Sequence, residues 1–163
     1  MKRAAALLLA AVLCFCLAGA EEEKAELYWR QYVICRPESF LYVRIFPQKS
    51  AEEIGRLEMG EEVVTKGEKR GKYMRIYLER LEGGEGWVHA GYLVREAPET
   101  PAEGEEIYAV AANGRVAARR YVNGSRRAWL KPGRRVKVYA MTAEWALTSQ
   151  GFIRTGFLKR AEE

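Results

Sequence analysis

The sequence predicts an all-β protein in which two small barrels follow each other in tandem, joined by a short acidic linker that contains proline. Short β-forming segments, bounded by glycine, proline or charged turns, fill both halves of the chain, and beyond residue 20 no long amphipathic helix is evident. One pattern of eight residues also occurs twice. With 48% apolar and 30% charged side chains in 163 residues, the chain has the composition of a folded protein with one or two small domains.

The first 20 residues have the layout of a secretory signal peptide. A basic start, Met1–Arg3, precedes an uninterrupted run of 17 apolar and small residues that ends in Ala18-Gly19-Ala20. The run is shorter than the roughly 20 residues that span a bilayer. We therefore expect cleavage near Ala20, a secreted or extracytoplasmic mature chain, and no transmembrane segment within it. An uncleaved anchor helix is the alternative.

The cysteines give little support for disulfides. Cys14 and Cys16 lie inside the predicted signal peptide and follow large residues, whereas a lipid-modified cysteine normally follows a small one, so no lipid anchor is expected. After cleavage only Cys35 remains, and a lone cysteine cannot form an internal disulfide. We expect Cys35 to be a small buried hydrophobic residue on a strand, with an intermolecular disulfide as the alternative.

Residues 96–106 are predicted to form the linker. Their last nine residues contain two prolines, one glycine and four glutamates but no large apolar side chain, a composition typical of extended segments. The linker separates a first barrel at residues 27–95 from a second barrel at residues 107–160.

Short β-type segments recur along both halves. In the first half they are Tyr32–Cys35, Leu41–Ile45, Glu62–Thr65, Tyr73–Tyr77 and Trp87–His89. In the second half they are Val116–Arg119, Arg135–Tyr139, Trp145–Thr148 and Phe152–Arg154. Their spacing favours small barrels over a parallel α/β sheet. The segment Ser50–Ile54 is a candidate for a single helical turn.

The two halves share a sequence pattern. Gly86–Leu93 matches Gly151–Leu158 as glycine, aromatic, aliphatic, polar, small, glycine, aromatic and leucine. Upstream, Leu57–Val63 matches Leu130–Val136, and the next strand opens on an aromatic residue in each half. These aromatic residues are Tyr73 and Trp145. The first half is longer between these landmarks, and we place most of the extra length in a polar hairpin extension at residues 77–85.

Four segments of the first half combine into a known pattern. They are Leu41-Tyr42-Val43-Arg44 with Pro47, Ile54-Gly55-Arg56-Leu57 with Gly60 and Val63, Tyr73-Met74-Arg75-Ile76, and Gly86-Trp87-Val88-His89-Ala90-Gly91-Tyr92-Leu93. In this combination the first half resembles the bacterial SH3-like (SH3b) domain family. The second half resembles it more distantly, because Phe152 stands in place of Trp87 and no proline follows Val116–Arg119. The resemblance implies two SH3-like barrels in an exported bacterial protein that engages peptidoglycan or another envelope protein.

Catalytic and metal-binding chemistry have little support in the sequence. A cysteine–histidine peptidase would have only Cys35 and His89 beyond residue 20, and it would need an orienting third group in the same site. The glutamates lie mainly in polar runs, aspartate is absent, and no spacing resembles a metal ligand set. We therefore expect a protein that is not an enzyme and uses no cofactor, with a small wall hydrolase as an alternative class.

Charge is distributed unevenly along the chain. Residues 21–106 contain 13 Lys and Arg against 19 Glu, whereas residues 107–163 contain 12 against 3. The second barrel is predicted to present a cationic binding face made of Arg119, Arg120, Arg126, Arg127, Arg134, Arg135 and Lys137. In an exported protein such a face attracts anionic wall polymers, anionic lipids or acidic proteins, and nucleic acid is not an expected partner. Docking of the basic barrel on the acidic linker and tail is the alternative.

Aromatic residues and their polar neighbours supply the other candidates, because sugars and peptides dock on flat apolar surfaces beside a few polar groups. These candidates are Tyr42, Arg44, Tyr73, Trp87, His89 and Tyr92 in the first barrel and Trp145 in the second. A place in a barrel core is the competing interpretation for each aromatic ring. The leading hypothesis is a non-catalytic secreted module that binds cell-wall peptidoglycan, through its glycan or peptide, or an associated anionic wall polymer. The alternative is an adaptor that binds an envelope or secreted protein as a peptide or an added strand.

Overall fold

The computed structural model describes residues 27–101 and 106–161. This part of the chain contains only β-strands and short 3-10 turns, so the predicted all-β class is confirmed. None of the helical segments described there has the length and apolar character needed to cross a membrane. The predicted signal peptide, its cleavage site, Cys14 and Cys16 lie outside the described residues.

The strands form two antiparallel sheets, one in each half of the chain. The first half contains β1 (Trp29–Val33), β2 (Leu41–Arg44), β3 (Glu53–Leu57), β4 (Glu62–Thr65), β5 (Lys69–Arg70), β6 (Tyr73–Tyr77), β7 (Glu85–His89) and β8 (Leu93–Val94). The second half contains β9 (Glu106–Val110), β10 (Val116–Arg119), β11 (Arg126–Leu130), β12 (Arg135–Met141), β13 (Trp145–Thr148), β14 (Gly151–Arg154) and β15 (Leu158–Arg160). The 3-10 turns are Glu82–Gly84, Ala90–Tyr92 and Thr155–Phe157. We call the two halves the first unit and the second unit.

The two sheets have the same strand order. The first runs β3-β2-β7-β6-β4-β1-β8, with the short β5 paired to β6, and the second runs β11-β10-β14-β13-β12-β9-β15. Each strand of the second sheet therefore has one counterpart in the first. The repeated sequence pattern thus corresponds to a repeated topology.

The pairing registers show which residues are equivalent. Trp87 lies opposite Arg44 in the first unit, and Phe152 lies opposite Arg119 in the second. Tyr73 likewise lies opposite His89, as Trp145 lies opposite Arg154. The equivalence of Tyr73 with Trp145, inferred from the sequence, is therefore confirmed by the registers.

Two sequence-based expectations about local structure have different outcomes. Residues 78–84 connect the last paired residues of β6 and β7, whereas only residues 149–150 connect those of β13 and β14, so the hairpin extension is confirmed. The helical turn proposed at Ser50–Ile54 is wrong. Glu53 already belongs to β3 and pairs with Arg44 of β2, because strand pairing outweighs the weak local helical preference.

Each unit encloses its own apolar core, because alternate residues of every strand point to the same side. The core of the first unit is built from Val33, Cys35, Leu41, Val43, Leu57, Val63, Met74, Ile76, Leu81, Val88 and Leu93. The core of the second is built from Val110, Val116, Ala118, Leu130, Val136 and Ile153. Cys35 is 4% exposed and its thiol is free, which confirms its prediction as a small buried residue. Its predicted place on a strand at Tyr32–Cys35 is wrong, because β1 covers Trp29–Val33 and ends two residues before Cys35.

A third apolar cluster joins the two units, and we call it the junction. Ile34 and Val94 of the first unit are buried with Trp145, Leu147 and Phe152 of the second, together with Ala140. Backbone pairing adds to this contact. The N–H of Val122 donates to the carbonyl of Gly91 at 2.9 Å, and Glu99 forms an antiparallel bridge with Met141.

Replacing Phe152 with alanine tests how much the junction contributes to the free energy of unfolding. The side chain is 1% exposed, so its loss leaves a cavity and should lower the free energy of unfolding by about 3–5 kcal/mol. Denaturant titration followed by tryptophan fluorescence measures the change. Phe157→Ala is the matched control, since Phe157 is 44% exposed, and it should cost no more than about 1 kcal/mol. Equal losses in the two variants would contradict the importance of the junction.

Candidate ligand-binding cleft

The largest grouping of candidate residues lies in a cleft of about 630 Å³ between the two units, which we call the cationic cleft. The first unit contributes β2 with the loop before it, the start of β6 and the segment around Tyr92. The second unit contributes Arg120 and Arg127, from the two sides of the β10–β11 connection. Leu147 and Phe152 of the junction also line the cleft, so the same packing that joins the units shapes the cleft.

The charge of the cationic cleft is of one sign. Its lining includes the five cationic side chains Arg36, Arg44, Lys49, Arg120 and Arg127, and no glutamate among the residues that the structure describes. Arg44 is partly neutralised, because its guanidinium donates to the Glu53 carboxylate at 3.0 Å. Among the described residues, no carboxylate lies within 4.0 Å of the charged groups of Lys49, Arg120 or Arg127. The cleft thus holds uncompensated positive charge, which favours an anion.

Aromatic rings flank this charge. Phe40 and Tyr42 are 44% and 38% exposed, and the guanidinium of Arg56 lies 5.7 Å from the ring of the former and 5.3 Å from that of the latter. Arg36 lies 5.8 Å from the ring of Tyr139 in the second unit. Flat rings beside guanidinium groups offer contact to apolar faces of a ligand as well as to its charge.

His89 forms the part of the cleft wall where the two units meet. Its ring contacts Tyr73, Tyr92 and, from the second unit, Tyr121, with ring centroids 5.9, 5.3 and 4.7 Å away. The Nδ1 atom accepts a hydrogen bond from the N–H of Gly91 at 3.2 Å. Burial, together with the positive charge of Lys72, lowers the pKa of His89 below its ordinary value. The imidazole is therefore mainly neutral near neutral pH, with Nδ1 as the acceptor.

Gly91 allows the close approach of the second unit. A Cβ atom at this position would lie 2.5 Å from Cδ2 of Tyr121, closer than real contacts allow. The repeated glycine of the sequence pattern thus has a particular use in the first unit. It lets Tyr121 pack beside His89.

Arg44 and Arg119, both predicted to bind ligand, occupy equivalent structural positions. Each lies at an irregularity in the pairing of its strand with the next, and each donates through Nη1 to a backbone carbonyl of the following loop at 2.7 Å. The acceptors are Ala51 for Arg44 and Gly124 for Arg119. Both arginines therefore brace a hairpin loop, and Arg44 in addition lines the cationic cleft.

The structure brings seven of the fourteen predicted binding residues into the cationic cleft. They are Tyr42, Arg44, Tyr73, His89, Tyr92, Arg120 and Arg127. Trp87 is 7% exposed and lies under the guanidinium groups of Arg70 and Arg75, while Trp145 is buried in the junction. Arg126 stacks over Trp129 at 4.6 Å, and Arg134, Arg135 and Lys137 lie at or beside the start of β12. The arginines and lysine of the second unit are thus divided between several surfaces.

Sequence reasoning did not identify Arg36, Phe40 and Lys49 as binding residues, although they line the cleft. None belongs to a recognisable motif, and their proximity to Arg120 depends on how the two units pack. Only the rule that cations and aromatic rings gather at binding surfaces would have singled them out, and that rule applies equally to many other residues of this chain.

Cys35 and His89 are the candidates for a cysteine–histidine pair. Cys35 and His89 both line the cationic cleft, but burial raises the pKa of the Cys35 thiol, and its Sγ donates to the Ser39 carbonyl at 3.3 Å. The thiol is therefore kept in its weakly nucleophilic form. Within residues 27–101 and 106–161, no group of three His, Cys, Asp or Glu side chains is placed to hold a metal ion.

The fold and the cleft define a two-unit β protein with a positively charged cleft between its units. Residues 39–94, within the first unit, match the family model described as Bacterial SH3 domain. The resemblance of the first unit to that family is confirmed by this match. For the second unit, the shared strand order is the supporting observation, and its assignment as a second copy stays a prediction.

Two solved structures show a distant similarity to the chain. NlpC1 from Trichomonas vaginalis is 10% identical, with 85% of this chain and 48% of that protein covered at a TM-score of 0.33. NlpC2 from the same organism is 9% identical, with 83% and 49% covered at a TM-score of 0.32. The chain thus spans about half the length of either protein, and scores this low define no shared activity. No curated protein matches the chain.

The lowered pKa of His89 predicts a pH dependence of stability. Below about pH 6.5, the ordinary pKa of histidine, the unfolded chain binds protons more readily than the folded one. The contribution of neutral His89 is therefore complete above that pH and is lost as the pH falls through it towards the lower folded-state value. We expect the thermal unfolding midpoint to decline between about pH 7 and pH 5.5. Differential scanning calorimetry measures it.

His89→Gln is the matched variant for this experiment, because glutamine keeps a polar side chain that does not titrate. Its unfolding midpoint should change less with pH over the same interval than that of the wild type. If the two proteins show the same slope, another group causes the pH dependence.

Proposed function

We propose that the chain is a non-catalytic binding module of the bacterial cell envelope that holds an anionic wall polymer in the cationic cleft. The observation that carries the proposal is that the charged side chains lining the cleft are all cationic. Among them, Lys49, Arg120 and Arg127 have no carboxylate partner within the described residues. The match of residues 39–94 to the bacterial SH3 domain family supports an envelope ligand, since such domains commonly bind cell-wall components.

The distribution of the cations favours an extended ligand over a single small ion. The unpaired charges come from both units, with Lys49 on the first and Arg120 and Arg127 on the second, and all three side chains are exposed. A polymer with repeated negative charges can engage both walls together. At physiological salt such charges act over about 8–10 Å, so the cleft would also attract the polymer before contact.

The aromatic rings at the edge of the cleft suggest how a sugar or polyol backbone would be held. Phe40 and Tyr42 are exposed and lie beside Arg44 and Arg56. Ring faces would pack against the carbon skeleton of the polymer while guanidinium groups meet its anionic groups. Peptidoglycan itself is the related alternative, in which the aromatic edge would supply more of the binding energy than the cations.

Export and the absence of catalysis are part of the same proposal. The basic start, the apolar run and the small residues that end at Ala20 support a cleaved signal peptide and an extracytoplasmic location. The protonated state of Cys35 supports a role without covalent chemistry. The identical order of the two sheets supports a tandem pair of SH3-like units, of which the second is divergent.

Co-sedimentation with purified bacterial wall sacculi, across a salt series, tests the proposal. The purified protein should sediment with intact sacculi and lose this binding when the anionic polymers are stripped or when salt is raised. Binding that survives both treatments would replace the polymer with peptidoglycan as the ligand. A protein that binds neither preparation would instead fit the adaptor hypothesis, and the proposal would be wrong.

Charge reversal locates the binding surface. Arg120→Glu combined with Arg127→Glu should weaken binding to intact sacculi by about tenfold or more, because it places negative charge in the cleft. Arg115→Glu combined with Arg134→Glu is the matched control, since both arginines are exposed, lie outside the cleft lining and change the net charge equally. Equal weakening in the two double variants would show that overall charge, and not the cleft, determines binding.

A further inference from the structure

A second cleft, of about 750 Å³, lies between the same two units and also includes His89 in its lining. We call it the polar cleft, and its polar lining includes Gln31, Lys69, Lys72, Arg95, Glu96 and Glu144. It has a composition different from that of the cationic cleft, because it contains both signs of charge.

In the polar cleft the carboxylates have hydrogen-bond donors, whereas the cations lack carboxylate partners within the described part of the chain. Its two carboxylates already have donors, since Glu96 accepts from the N–H of Ala143 at 3.2 Å and Glu144 accepts from Arg154 at 2.7 Å. Lys69, Lys72 and Arg95 have no carboxylate within 4.0 Å among the described residues, and the two lysines concentrate their charge on the β5–β6 hairpin. An anionic group of a ligand would therefore be met at the lysines.

Gln31 adds a requirement for a hydrogen-bond donor. Its Oε1 atom is buried and has no hydrogen-bond partner in the structure. Gln31 lies on β1 two residues before Val33, on the same face as this core residue, and Met74 and Leu93 of that core line the cleft beside it. A buried acceptor without a partner is unfavourable, and an N–H or O–H group from a ligand would satisfy it.

We infer that the polar cleft binds the carboxyl-terminal end of a peptide, with its carboxylate at Lys69 and Lys72 and a backbone N–H donated to Gln31 Oε1. Such a ligand carries both groups that the cleft lacks, a negative charge and a donor. A fully deprotonated phosphate or sulfate would meet the lysines but would place lone pairs against Oε1. The inference is independent of the proposed function, because the two sites differ in residues and in ligand chemistry.

Titration of the isotope-labelled protein with a short neutral peptide, N-acetyl-trialanine with a free carboxylate, tests the inference by NMR. The backbone signals of Gly71, Ala90 and Gly91, which line the polar cleft, should shift on addition of the peptide. The corresponding peptide amide, which lacks the negative charge, should bind about tenfold more weakly. Equal binding of acid and amide, shifts confined to other residues, or no shift at all would overturn the inference.

Variants separate a binding role from a structural one. Gln31→Leu should weaken peptide binding about five- to tenfold without lowering the thermal unfolding midpoint, because Oε1 has no partner to lose. Lys69→Gln with Lys72→Gln should remove the preference for the acid over the amide. Unchanged affinity in Gln31→Leu would overturn the role of this side chain.

The cationic-cleft variant provides the control that keeps the two proposals apart. Arg120→Glu with Arg127→Glu should leave peptide binding unchanged, since neither arginine lines the polar cleft. Peptide binding that disappears in this variant would show that the peptide occupies the cationic cleft, and the inference would be wrong. Loss of sacculus binding alone concerns the proposed function and leaves the polar cleft as inferred.

Discussion

Burial of Ile34 and Val94 against Trp145, Leu147 and Phe152 is the interaction on which the rest of the molecule depends. Fully burying one large aliphatic or aromatic side chain contributes about 1.5–3 kcal/mol, so this cluster is comparable in weight to a small domain core. Both clefts are spaces between the units, and they exist because the junction holds the units in one arrangement. Each cleft is thus a property of the pair of units, because residues of both units line it.

The same face of the sheet is buried in the second unit and polar in the first. In the second unit, Phe152 and its neighbour across the strand pair, Leu147, are covered by the first unit. In the first unit the equivalent pair is Trp87 and Arg75, and Arg75 forms ion pairs with Glu68 and Glu85. A leucine at this position makes the face a surface for packing, whereas an ion-paired arginine keeps the equivalent face polar. The difference between Leu147 and Arg75 therefore makes this face apolar in the second unit and polar in the first.

The sequence was most informative where local patterns determine structure. The repeated segment, the hairpin extension and the pairing position of Tyr73 follow from alternation and turn residues, which act over short distances. The predicted strands did not include β3, β5, β8, β9, β11 and β15. Of these, β9 begins at the acidic linker and β11 opens on Arg126-Arg127, so neither has a clear alternating pattern. The cationic cleft could be predicted only in part, since Lys49 and Arg127 come together through packing of the units, which no local pattern encodes.

The junction joins two different surfaces, one from each unit. A contact between unlike surfaces can repeat from one copy to the next and build an open chain. The residues that correspond to Ile34 and Val94 in the second unit are Ala111 and Lys159, both exposed, so that unit lacks the large apolar pair that covers a face in the first. In the first unit, the face equivalent to the covered one carries the ion-paired Arg75, which disfavours the packing of an apolar group there. Within the described residues the two sides of this contact therefore do not recur, which disfavours open-ended association of copies through it.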